Sequence, residues 1–281
     1  MEVGSQFETS ARGMCHEVSV LFSEISGYGS LTKDLESQEV ADLLHEYFES
    51  MVEAVYKYKE RCKNQIEIAC VGNSLIAVFG SPQPLENHAW LALQTAIEMR
   101  QKLEEVNRRR RGANKPAIEI GMGINSDTAI GAQIASKRPL EFSAIGEGVN
   151  LGFRLEGVSR QYGCDIVLGE NTYHYCADRI WARELDTIRI RDNHNPIAIY
   201  QFLGLNSEPI PDDRKQLIEH YDKGRELYLN RKFAIAMGEF ATVLEIDSND
   251  KAAAFHLKRC QRLLREPPKE PWDGAWTLVE N

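Results

Sequence analysis

No two cysteines of this chain stand close enough to make a CxxC pair. The six, Cys15, Cys62, Cys70, Cys164, Cys176 and Cys260, keep gaps of eight residues or more. A chain of 281 residues needs no disulfide staple, so they are expected as reduced thiols of a cytoplasmic protein. The seven histidines show neither HxxxH nor a mixed Cys/His spacing, which argues against zinc. No apolar run approaches the ~18–20 residues of a membrane span. The N-terminal MEVGSQFETSARGMC has no apolar h-region, so no secretory leader is expected; it reads as a flexible lead-in or a cut through a linker. Positive charge is short, with 33 Lys and Arg against 42 Asp and Glu and a net charge of −9. That excludes broad attraction to nucleic acid or anionic lipid. With 43% hydrophobic and 27% charged residues, the chain is not disordered, collagen-like or a coiled-coil rod.

What is present has a clear order. His16 to Ile25 is a β-branched and aromatic run ending at Gly27-Tyr28-Gly29, a strand and a tight turn. From Ser37 to Lys59, apolar residues at Val40, Leu43, Leu44, Tyr47, Phe48, Met51, Val52 and Val55 step by three and four, predicting a helix. Ile66–Cys70 and Ser74–Phe79 flank Val71-Gly72-Asn73 and read as a hairpin. Glu86 to Arg111 predicts a second long helix. Its four closing arginines, Arg108–Arg111, read as a solvated helix end suited to the helix dipole. Ile118–Asn125 and Ala129–Ile134 suggest a strand pair joined through Ser126-Asp127-Thr128. A short strand at Phe142–Ile145, a helix over Gly146–Tyr162 and strands at Cys164–Leu168, Trp181–Ile190 and Ile197–Leu203 follow. The pattern predicts an α/β sandwich with a mixed, mostly antiparallel sheet rich in hairpins. This unit spans 16–205 after a lead-in over 1–15, and 206–213 is a proline- and acid-rich linker. Residues 214–281 form an all-α tail. There Gly224, Ala236 and Phe240 keep the spacing of a tetratricopeptide helix pair, and Tyr228 lies near its aromatic position. The repeat's proline position holds Ser248. A lone repeat cannot bury its own face, so the tail is expected to pack on the first unit or on a protein partner.

Four segments, VSVLFSEISGYGSLT, VGNSLIAVFGSP, IGMGINSDTAIGAQI and FSAIGEGVNLGFRLEGV, together resemble the class III nucleotide cyclase catalytic domain. The stretch ELDTIRIRDNHNPIAIYQFLG resembles that family's terminal strands. The resemblance implies a ferredoxin-like core whose copies pair head to tail and share each site. It also implies two magnesium ions, held by two aspartates, that activate the ribose 3′-hydroxyl for attack on the α-phosphate, with loss of pyrophosphate. Asn150 and Arg154 fall on the family's asparagine and arginine, which orient the ribose and stabilise the transition state. Gly27, Tyr28 and Gly29 fall where backbone N–H groups face the triphosphate.

Other positions depart from the family pattern. The two metal aspartates fall on Glu24 and Asn73. Glutamate moves the charge out by one methylene, about 1.5 Å, whereas magnesium demands near-octahedral oxygens. Asparagine loses the charge altogether, and Gly-Asn is good hairpin chemistry in any case. The base-reading lysine falls on Ala69 and its polar partner on Ser143. A lysine-glycine pair of the terminal strands becomes Arg191-Asp192, of which Arg191 keeps a phosphate-facing cation. These departures imply a degenerate cyclase with little or no turnover, acting as a dimerising module for nucleotide or partner. One rival is an active cyclase using Mg or Mn, as a homodimer or beside another cyclase-type subunit. The other is a scaffold built around the tail, with no nucleotide at all.

Overall fold

The alternating β-branched runs and amphipathic stretches become a single mixed sheet flanked by helices. The computed structural model describes residues 14–131, 144–145, 147–189 and 195–278. In chain order the elements are β1 (Met14–Ile25), α1 (Tyr28–Thr32), α2 (Ser37–Lys59), β2 (Ile66–Val71), β3 (Ser74–Phe79) and α3 (His88–Gly112). Next come β4 (Ile120–Gly131), β5 (Ala144–Ile145), α4 (Glu147–Tyr162), β6 (Ile166–Gly169) and α5 (Glu170–Cys176). The last are β7 (Ile180–Arg189), β8 (Ile197–Leu205), α6 (Asp212–Leu229), α7 (Phe233–Ile246), α8 (Lys251–Arg265) and β9 (Trp276–Thr277). The strand order is β2-β3-β1-β4-β6-β8-β7-β9, with β5 beside β4. Only β4–β6 and β7–β9 run parallel.

Period-two alternation along β1 divides the core. Leu21 and Ile25 face α2 and α3, where they pack with Tyr47, Met51, Leu93 and Met99. Val18, Val20 and Phe22 face the other way, with Val78 and Ala129. Glu24 shares that second face by the same alternation, and α4 lies on it. Two glycines of β4 permit the approach. A Cβ at Gly123 would stand 2.4 Å from Glu156 N, and one at Gly121 2.7 Å from Glu156 Oε1.

Three expectations are corrected. The strand pair predicted on either side of Ser126-Asp127-Thr128 is one continuous strand, paired with β1 from Gly131 to Ile120. Those polar residues are accommodated inside the sheet rather than in a turn, because Ser126 Oγ bonds Ser19 Oγ at 2.6 Å and Thr172 Oγ1 at 2.9 Å. The arginine run is not all solvated: Arg110 is buried, donating to Glu46 at 2.8 Å and to the Pro116 carbonyl at 2.7 Å. The first strand also starts earlier than His16, since β1 begins at Met14.

The tail packs on the sheet. Tyr221, Tyr228, Phe240 and Val243 form one core with Leu155, Tyr162, Leu185 and Ile199. A Cβ at Gly224 would meet Phe240 Cε1 at 2.9 Å, which accounts for glycine where α6 crosses α7. The chain then returns to the sheet, and β9 pairs with β7 as an added edge strand. Among the described residues, no helix is long and apolar enough to cross a membrane. The described cysteines Cys62, Cys70, Cys164, Cys176 and Cys260 are free thiols.

Candidate functional site

Antiparallel pairing of β1 with β3 sets Glu24 opposite Ser74, so the tip of the β2–β3 turn lies beside the end of β1. Asn73 occupies that tip. Its Nδ2 donates to Glu24 Oε1 at 3.0 Å and to the Ile25 carbonyl at 3.4 Å. Both neighbours are acceptors, which fixes the amide with its nitrogen toward them. An aspartate there would offer lone pairs; the asparagine offers protons.

Two residues that sequence reasoning passed over complete the cluster. Arg160, near the end of α4, sets Nη2 3.2 Å from Glu156 Oε2 and 3.8 Å from Glu24 Oε2. The Glu156 side chain is only 2% exposed, pressed against β4 by the glycine-permitted approach of α4. Burial pushes its carboxyl up to about 8; Arg160 opposes this and the neighbouring Glu24 adds to it. The i, i+4 spacing of Glu156 and Arg160 was visible in the sequence as a helix-surface pair. Their reach to Glu24 depends on how α4 sits on the sheet, which no local pattern states.

These residues do not fit a pair of dications. At the two metal positions there is one carboxylate, Glu24, where the resemblance implies two, and both its oxygens already face N–H donors, one from a cation. The neighbouring Glu156 is buried, with its carboxyl pushed up to about 8. Magnesium and manganese bind through several free oxygen ligands. No group of three or more His, Cys, Asp and Glu residues able to hold a metal occurs among the described residues.

The remaining predicted positions are distributed as follows. Gly27 is left-handed (φ 63°) and leads into α1, with Tyr28 and Gly29 opening that short helix. Added Cβ atoms at Gly27 and Gly29 would meet nothing, so the turn faces open space. Ala69 lies on β2 opposite Ile76, on the α4 face of the sheet. Asn150 and Arg154 stand one turn apart on α4. Arg154 is six residues before Arg160, about 9 Å along the helix axis. The contacts of α4 with Glu24 are therefore made by a different stretch of the helix. Glu24 and Asn73 are thus brought together, whereas Asn150 and Arg154 form a separate part of the surface. Ser143 and Arg191 lie outside the described residues.

The comparisons agree with this architecture. A family model described as the adenylate and guanylate cyclase catalytic domain matches residues 11–204. Adenylate cyclase 1 of Rhizobium meliloti (strain 1021) is 26% identical over 189 residues, covering 67% of this chain and 28% of its own length. The adenylate cyclase of Anabaena cylindrica is 26% identical over 191 residues, covering 66% and 36%. The crystal structure of the adenylyl cyclase CyaB from P. aeruginosa superposes with a TM-score of 0.59 at 26% identity, over 71% of this chain and 97% of that one. The guanylyl cyclase Cya2 has the same fold, with a TM-score of 0.59 at 24% identity, over 69% and 95%. The matches span about a third or less of those two curated relatives.

Proposed function

Because the chain belongs to the family of adenylate and guanylate cyclase catalytic domains, we propose that it is a degenerate member. It has little or no turnover and serves as a dimerising module that engages a nucleoside triphosphate or a protein partner. One observation carries this reading: the carboxylate at the first metal position is tied to Asn73 at 3.0 Å and faces Arg160 at 3.8 Å, with an amide at the position where the resemblance implies the second aspartate. Losing that charge, together with the base-reading lysine at Ala69, costs several kcal/mol of transition-state stabilisation, and each ~1.4 kcal/mol is tenfold in rate. Alanine has no polar atom with which to read a base.

Retention of nucleotide rests on Asn150 and Arg154, kept one turn apart on α4, and on the open Gly27–Gly29 turn. Those same residues favour the second reading, an active cyclase using Mg or Mn beside a subunit that supplies the missing carboxylates. Dimerisation rests on an apolar strip on the α4 face of the sheet, where Phe153 is 54% and Val71 64% exposed. Phe153 packs edge-on against Phe22 at 5.7 Å, so the strip adjoins the core of that face. The tail, packed on the sheet, leaves its outer helices for a partner.

Calorimetry with a non-hydrolysable triphosphate tests the module. The parent chain is expected to give binding heat that Arg154→Ala abolishes. Asn73→Asp with Glu24→Asp is expected to make binding tight and metal-dependent. Absence of binding in the parent would leave the tail-centred scaffold as the better account.

A further inference from the structure

We propose that Arg160 is the resident cation of Glu24 and that it keeps divalent metal out of the position the family reserves for it. The inference rests on the assignment of Glu24 and Asn73 to that position, and is independent of whether the chain turns over.

The geometry is specific. The Arg160 guanidinium stands between Glu156 Oε2 at 3.2 Å and Glu24 Oε2 at 3.8 Å. The other Glu24 oxygen accepts from Asn73 at 3.0 Å. An ion approaching Glu24 therefore meets a fixed positive charge of the protein itself and an amide that presents its protons. It must displace the first and turn the second against the Ile25 carbonyl, which holds the same nitrogen.

The backbone that carries Arg160 is held in place by its helix. Ser159 Oγ donates to the Glu156 carbonyl at 2.6 Å, and the glycines of β4 seat this turn on the sheet. Two residues further on, Tyr162 Oη donates to the buried Asp186 at 2.5 Å and receives Arg259 Nη2 from α8 at 2.9 Å. The end of α4 is thus clamped to β7 and to the tail, and the guanidinium projects from a fixed base. If Arg160 were removed, Glu24 and a reoriented Asn73 carbonyl would face a hard cation with no competing charge, and the adjacent Glu156 oxygen would join them once its proton is displaced.

Manganese uptake by the full chain, followed by electron paramagnetic resonance without nucleotide, tests this. The parent is expected to show only weak, non-saturating uptake by its acidic surface. Arg160→Ala is expected to gain one saturable manganese per chain, at least about tenfold tighter than any parent site, because a neighbouring cation no longer repels the dication. Adding Glu24→Gln abolishes that site, and Arg160→Lys stays closer to the parent than Arg160→Ala because the charge is kept. Arg160→Gln, which retains the long stem, serves as a second variant if the alanine form is unstable. A parent with a saturable manganese that Glu24→Gln removes would overturn the proposal. So would neutral variants that bind no better than the parent. Cyclic product from the parent would defeat the degenerate reading without altering how this titration is read.

Discussion

Asp186 on β7 accepts from Arg225 on α6 at 2.8 Å, with the carboxylate fully buried and the guanidinium 4% exposed. Arg259 of α8 pairs with its other oxygen, and Tyr162 of α4 donates to that oxygen at 2.5 Å. Burial alone raises a carboxyl, but the guanidiniums, Arg259 foremost, hold Asp186 below the usual carboxylate range. Beside this cluster, Arg183 pairs with Asp250 at 2.7 Å, both nearly buried. These three ion pairs join the tail to the sheet, and Tyr162 ties α4 to the same carboxylate.

Removing the shared acid strands buried Arg259 and leaves buried Arg225 with Glu184 as its remaining acidic partner, at 2.9 Å. Asp186→Leu is expected to lower unfolding free energy by about 3–5 kcal/mol, the cost of breaking a buried pair from one side. Urea unfolding of the full chain measures it. A loss below about 1 kcal/mol would mean that apolar packing alone holds the tail to the sheet.

Acid should weaken the same junction. His256 is wholly buried, donating from Nε2 to the Leu185 carbonyl at 2.9 Å, with Nδ1 unpartnered and its ring stacked on Phe240. Burial holds it down at about 3 against an ordinary 6.5; Asp186 opposes the shift, and Arg225 and Arg259 add to it. Between those values the unfolded chain binds the proton and the folded chain does not. Stability is therefore full above about 6.5 and falls as pH drops toward 3, by up to ~1.4 kcal/mol per pH unit from this group. Asp186, also depressed, adds a loss of the same sign below its ordinary 3.8. Glu156, held up at about 8 from an ordinary 4.5, contributes the opposite slope between those values. The check is therefore the difference between the parent and His256→Gln (roughly isosteric and permanently neutral) in thermal melts across pH 4–7, with acid destabilising the parent more. The same pH dependence in the parent and in His256→Gln would contradict it.

Much of this architecture was legible in the sequence, where the local signal and the tertiary outcome agree. The helix over Ser37–Lys59 and the strand at Ser74–Phe79 emerge with the predicted bounds, because their apolar periods are what the core selects. The turn predicted at Ser126–Thr128 failed because its polar residues are satisfied across strands, by Ser19 and Thr172, contacts that local chemistry does not announce. α5 and β9 were missed for a related reason: a seven-residue helix and a two-residue edge strand carry too little periodicity. At the site, the pairing of Glu24 with Asn73 follows from hairpin register. The arrival of Arg160 depends on two glycines of β4 that let a helix come close.

The exposed strip beside the site gives a prediction about assembly. Light scattering at tens of micromolar is expected to show a dimer, and Phe153→Glu is expected to shift it to monomer with its melting temperature little changed, since that ring is 54% exposed. A parent that is monomeric under those conditions would restrict pairing to a heterologous subunit.

The central claim is that a cyclase fold here has lost its chemistry at Glu24 and Asn73. It is tested most directly by incubating the chain with each of the four nucleoside triphosphates and excess manganese or magnesium, then quantifying cyclic product and pyrophosphate. The account predicts no product above that of Arg154→Ala. Product well above that control, from any of the four, would contradict it.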